Sequence, residues 1–207
     1  MIEIEQKEFI DEQIIEMIRE KEKEIELESR KVRIENGILS GIIDLDDLKM
    51  EFEEKSLYEG SIKICIPKSF VIMNAEYASI KYPSERRPQI IYTDETTSKN
   101  ICFNHLDTDT LEKDIEKFKD SMRQVLESIQ PAAIWFEDGS SMVHDKKLAY
   151  FEFISPAIDA KIYNFIFFAE IKGKALICTI NCIEEDMGDW MLLARGMMKS
   201  FETCIKK

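Results

Sequence analysis

Glycine and proline are scarce, at seven and five in 207 residues. So few glycines leave little room for loops that cradle phosphate on bare backbone amides, and neither G-x-G-x-x-G nor G-x-x-x-x-G-K-[ST] occurs. G-x-S-x-G and H-E-x-x-H are missing too, which removes the nucleophile elbow and the two-histidine zinc helix. Basic charge is the minority: 28 Lys and Arg stand against 41 Asp and Glu, for a net charge of −13. A chain of that sign lacks the cationic field that releases counterions from nucleic acid, and it is repelled by anionic membrane. Long apolar runs are also lacking. The greasiest window, Ile162–Ala169, is far too short to span a bilayer and contains Asn164. The opening MIEIEQKEFIDEQ has neither the basic nor the apolar region of a secretory leader, so the expected location is the cytoplasm. The five cysteines are odd in number and form no C-x-x-C pair; Cys65, Cys102 and Cys178 sit in apolar runs and read as buried thiols.

What the chain does have is enough apolar side chain for a core, 44% hydrophobic with 10% aromatic. Its charge is uneven. Residues 1–60 hold 19 acidic and 9 basic side chains, whereas residues 61–207 hold 22 and 19. This shift divides the chain into an acidic appendage, 1–49, and a main domain, 50–207. Within the appendage, Glu5 to Lys31 has no Gly or Pro, and Ile10, Ile14, Met17, Ile18 and Ile25 recur at helical spacing. The stripe is broken by Lys21 and is thinner than a coiled-coil seam. It predicts a helix laid across the main domain; the alternative is a helix that binds a partner or pairs two chains into a homodimer. Asn36-Gly37 suits a two-residue type I′ turn and predicts a β-hairpin over Val32–Ile43.

In the main domain, strands are expected at Ser61–Ile66, Tyr77–Tyr82, Gln89–Thr93 and Asn100–Asn104. Asp109 with Glu112 reads as a capping box opening a helix. Its core stripe is Leu111, Ile115, Phe118, Met122, Val125 and Ile129, ended by Pro131. Four strands follow: Ala132–Phe136, Lys147–Ile154, Ile162–Ile171 and Ala175–Ile183. Turns at Glu137–Ser140 and Lys172-Gly173 are too short for parallel crossovers, so the sheet must be mainly antiparallel. Alternation sorts Ala149, Phe151, Phe153, Phe165, Phe167 and Cys178 onto one face. Ile154, Asn164, Ile166, Phe168, Ile177, Thr179 and Asn181 fall on the other. Both faces are too apolar for water and call for helical covers, among them the Met/Trp-rich final helix from Asp186 to Ile205. The fold class is therefore α+β: a mainly antiparallel sheet covered by helices on both faces, an α/β/α sandwich, preceded by an acidic N-terminal helix plus hairpin.

Candidate chemistry is thin. His105-Leu-Asp107-Thr-Asp109 reads as strand end and helix cap rather than metal ligands. Asp44-Leu-Asp46-Asp47 has Lys49 where a calcium loop needs glycine. Asp138, Ser140, Ser141 and His144 share one polar turn with nothing to position a base or an oxyanion hole. Cys178 and Cys182 are four apart on a strand, about 13 Å, too far to pair. No catalytic residue, metal or cofactor is expected.

The order of elements resembles the PsbP-like superfamily. The likeness covers about residues 50–207: a strand ending Ile66-Pro67-Lys68-Ser69-Phe70, a central helix with the Leu111–Ile129 stripe, hairpin strands A-Y-F-E-F, Y-N-F-I-F-F and L-I-C-T-I-N-C, and a closing helix from Trp190 to Phe201. That group includes photosystem II extrinsic subunits, a Ran-binding import factor and bacterial periplasmic or effector-associated chaperone domains. The resemblance implies a non-enzymatic binding scaffold and carries no functional residue over. The reading is a cytoplasmic protein-binding adaptor or chaperone-like domain. Its partner is another protein, basic or with an apolar segment, that touches Trp135, Asn164, Ile166, Phe168, Trp190, Met191 and Met198. The alternatives are an acidic inhibitor of a basic enzyme and a carrier of a small apolar ligand.

Overall fold

A computed structural model describes residues 2–204 except 46 and 86, with side chains from residue 15 onward. The side chains of Ile10 and Ile14, and Asp46 and Ile205 altogether, lie outside the described residues. Among the described residues the chain is α+β, with four α-helices and two antiparallel sheets. Helix α1 spans Ile2–Ser40. Strands β1 (Ile42–Leu45), β2 (Leu48–Leu57), β3 (Ile62–Pro67) and β11 (Glu202–Thr203) make the small sheet, in the order β1-β2-β3-β11. The large sheet has the order β4-β5-β6-β10-β9-β8-β7. Its strands are β4 (Val71–Ile72), β5 (Ile90–Thr93), β6 (Asn100–Asp109), β7 (Ile134–Val143), β8 (Lys146–Pro156), β9 (Lys161–Ile171) and β10 (Lys174–Ile183). The other helices are α2 (Ala75–Lys81), α3 (Ile115–Ile129) and α4 (Met187–Lys199).

One face of the large sheet presents Tyr163, Phe165, Phe167, Leu176, Cys178 and Ile180. Trp190, Ala194, Met197 and Phe201 of the C-terminal segment, Ile62, Ile64 and Ile66 of the small sheet, and Ile34 and Ile38 of α1 pack with them. The other face carries Ala149, Phe151, Phe153 and Phe168 under Ile115, Phe118, Met122 and Leu126 of α3. Beside this, α2 contributes Ala78 to a smaller cluster with Met73, Ile91 and Cys102.

Several expectations are corrected. Asn36-Gly37 makes no turn: α1 runs through it because Ile34 and Ile38, one helical turn apart, are fully buried against α4 and the small sheet. The helix stops at Gly41, whose φ of +89° suits a glycine C-terminal cap, and the hairpin forms one element later, between β1 and β2. Tyr77–Tyr82 is not a strand. Asn74 accepts a 2.9 Å hydrogen bond from the Tyr77 amide and so caps α2. Asp109 belongs to β6 and pairs with Lys174 at 2.7 Å instead of capping a helix. Glu137–Ser140 is not a turn: β7 passes through it with a bulge between Trp135 and Asp138 and turns at His144 (φ 50°).

The phase of β8 is also reversed. Register pairs Phe151 with Ile166 and Phe153 with Asn164, so Ala149, Phe151 and Phe153 share the α3 face, while Glu152 pairs with Phe165 and points toward α4. LAYFEFI is apolar at nearly every position, and period-two alternation cannot phase such a strand.

Candidate functional site

Helix α3 sits above β8 and reaches both ways. On the β7 side, Lys119 donates to Asp138 at 2.6 Å and the Arg123 guanidinium lies 4.8 Å from the Trp135 ring. On the β9 side, the Phe118 ring meets Phe168 edge-on at 5.8 Å. At about 100° per residue, Val125 and Ile129 share the Phe118 side of the helix, away from Lys119 and Arg123. They therefore face the strip of sheet over β9 and β10. Both are exposed, at 53% and 65%, as is Leu111 at 58%. The predicted core stripe is thus split: Ile115, Phe118 and Met122 pack inward with Leu126, whereas Leu111, Val125 and Ile129 edge an opening.

The floor of that opening is half-buried Asn164, Ile166, Ile177 and Thr179, with Asn181 beside them. At the first turns of α3 a cavity of about 510 Å³ is bordered by Asp109, Leu111, Phe118, Ser121 and Gly173. The far wall is Tyr82, just beyond α2, whose hydroxyl lies 3.4 Å from Cys102 Sγ. Burial and the neighbouring thiol hold that hydroxyl well above its ordinary range. A belt of amides fixes the floor. Thr93 donates to Asn100, which donates to Asn181, each at 3.0 Å, and Asn164 donates to Ser155 at 3.2 Å. The result is a shallow apolar cleft between α2 and α3, with polar partners at its base.

Of the residues singled out in sequence, Phe168, Ile166, Asn164 and Trp135 come together on this face; Phe168 is buried beneath α3 and the other three are half-buried. Trp190, Met191 and Met198 lie on α4 across the sheet, with Trp190 and Met198 buried in the core and Trp190 stacked on Phe70 at 5.6 Å. The structure does not join the two groups. Sequence reasoning missed Val125 and Ile129 as surface residues, because a regular stripe says which side of a helix is apolar but not how wide a partner covers it.

It also missed a charged cluster under α4. Glu152, 1% exposed, accepts from the Tyr163 hydroxyl at 2.5 Å and from Arg195, which bonds Glu137 at 2.7 Å; Tyr150 donates to Glu137 at 2.8 Å. Burial works against the Arg195 charge, yet Glu152 and Glu137 hold its pKa above the usual value. Burial and then Glu137 push the Tyr150 hydroxyl up to about 12. Apart from the Arg195 Nε, which is buried without a hydrogen-bond partner, these groups are paired with one another and tie α4 to β7, β8 and β9. The predicted polar turn is dispersed: Asp138 pairs with Lys119 and Arg123, Ser140 with Glu116, and His144 Nδ1 lies 3.1 Å from the Phe201 carbonyl.

No protein-family model matches the chain, and no curated protein matches its sequence. Solved structures do. Cyanobacterial PsbP (CyanoP) from Synechocystis superposes with a TM-score of 0.55 at 11% identity, over 78% of this chain and 97% of that one. LpqN of Mycobacterium tuberculosis, a protein involved in cell envelope biogenesis, aligns with a TM-score of 0.47 at 11% identity, over 72% of this chain and 90% of that one. The chain has the PsbP-like fold.

Proposed function

We propose that the chain is a non-enzymatic, cytoplasmic protein-binding domain built as an α/β/α sandwich, and that it holds an apolar segment of a partner protein in the cleft between α2 and α3. The observation that carries the reading is the row Val125 and Ile129. Two β-branched side chains stand more than half exposed beside a half-covered floor of Ile166 and Ile177, where a free surface would ordinarily be polar. Exposed apolar area of this kind is the usual centre of a protein interface, with polar groups at its rim.

The test places a photo-crosslinking amino acid at Val125 or Ile129, and at exposed Ile80 of α2 as a control, in the native host. A single dominant adduct at the first two positions that disappears in the Ile166→Lys/Ile177→Lys protein supports the reading. Equal labelling at all three positions overturns it.

A further inference from the structure

Helix α1 offers a second surface, independent of the cleft. From residue 15 to residue 28 every side chain is exposed. The helix reaches the body at Leu27 and Glu28, which border a cavity of about 480 Å³ with Met191 and Leu192 of α4. Arg30 then bonds Asp189 at 2.8 Å and Asp47 at 3.1 Å, and Ile34 and Ile38 are buried. Ile25 and Ile34 are nine residues apart, which at about 100° per residue puts them on opposite sides of the helix. Ile18, Ile25 and Val32 follow one another at heptad spacing, so they form a row facing away from the chain's own core; Ile25 is 63% exposed. The helix cannot bury this row by folding down, because Ile34 and Ile38 already fix its rotation.

Charge beside the row is mainly acidic. Glu22 and Glu26 run along one border, joined near its end by Arg33, and Glu24 and Glu28 along the other, joined by Lys21, while Arg19 and Lys23 lie on the Ile34 side. We infer that the outward row of α1 docks a basic amphipathic helix of a second protein. Its apolar face would cover Ile18, Ile25 and Val32, and its Lys or Arg flanks would meet the glutamate borders. A second copy of this chain fits less well, since four glutamates but only Lys21 and Arg33 flank the row and pairing two such rows leaves most of the acidic charge unmatched. A free helix of this exposure is marginal in water, so a guest that covers the row also stabilises it.

The test uses the full chain and a fluorescein-labelled synthetic helix of about 20 residues, with Leu at heptad spacing and Lys on both flanks, read by anisotropy. Binding should weaken about tenfold in Ile18→Ser/Ile25→Ser and again in Glu22→Lys/Glu24→Lys, and should fall with added salt. Val125→Lys/Ile129→Lys in the cleft should bind as the parent does, which separates this surface from the other. Undiminished binding in either α1 variant overturns the inference. So does equal affinity for a peptide with Glu in place of every Lys, or a dimer in sedimentation that the Ile25→Ser change dissociates.

Discussion

Replacing Gly37 by alanine sets two opposed effects against each other, and the structure says which is larger. In a helix interior alanine is favoured over glycine by about 1 kcal/mol, so propensity alone makes Gly37→Ala stabilising. Gly37, however, lies where α1 meets β1. A Cβ there would stand 2.6 Å from Ile43 Cγ1 and 2.9 Å from the Ile42 carbonyl oxygen. The oxygen belongs to the backbone and Ile43 is buried, so neither can swing aside. Overpacking of this sort costs about 1–3 kcal/mol, and a backbone contact falls toward the upper end. The expected net is a loss of about 1–2 kcal/mol, or a fall in Tm of about 2–8 °C for a domain of this size. Gly188→Ala is the control: in the first turn of α4, the added methyl would meet nothing within 4 Å and should gain up to about 1 kcal/mol. Urea titration of both variants, followed by circular dichroism, measures the difference. If the two variants stabilise alike, the close approach of α1 and β1 is wrong.

Other outcomes follow from the same contacts. Glu152→Gln takes the buried carboxylate from Arg195 and should cost about 3 kcal/mol in urea titration; a loss well under 1 kcal/mol would mean the cluster is solvated. Asp138 has its pKa lowered from 3.8 chiefly by the Lys119 hydrogen bond, so its contribution is present above that value and is lost as pH falls through the depressed one. Wild type and Asp138→Asn should therefore differ in Tm at neutral pH and converge in strong acid, and a gap that stays constant with pH argues against the pairing. Removing residues 1–26 should leave the Tm of the remainder nearly unchanged, whereas Ile34→Ala should cost about 2–5 kcal/mol; the reverse order would place the anchor of α1 in the wrong half.

The chain's own pattern carried much of the large sheet. The Lys172-Gly173 turn was legible because glycine admits positive φ in a two-residue loop, and both residues adopt it, at 52° and 79°. The strands on either side were marked by long β-branched and aromatic runs, and their shortness of connection implied antiparallel pairing. The helix α3 was legible from its 3–4 spacing. Local signals went astray where a distant contact outweighed them: Asn36-Gly37 has turn chemistry, but the burial of Ile34 and Ile38 is worth more than one turn preference.

Sequence by itself therefore determined α3, the start of α4, the long strands of the large sheet and their antiparallel pairing, and the sorting of acidic charge toward the start, because each follows from neighbours a few residues apart. It did not place Glu137–Ser140 in a strand, or Glu202–Thr203 in β11 where a helix was expected. Only the tertiary structure decided the phase of β8, the rotation of α1 and the exposure of Val125 and Ile129. Each depends on which surface lies opposite: a strand apolar on both sides has no preferred face, and a helical stripe does not state the width of what covers it.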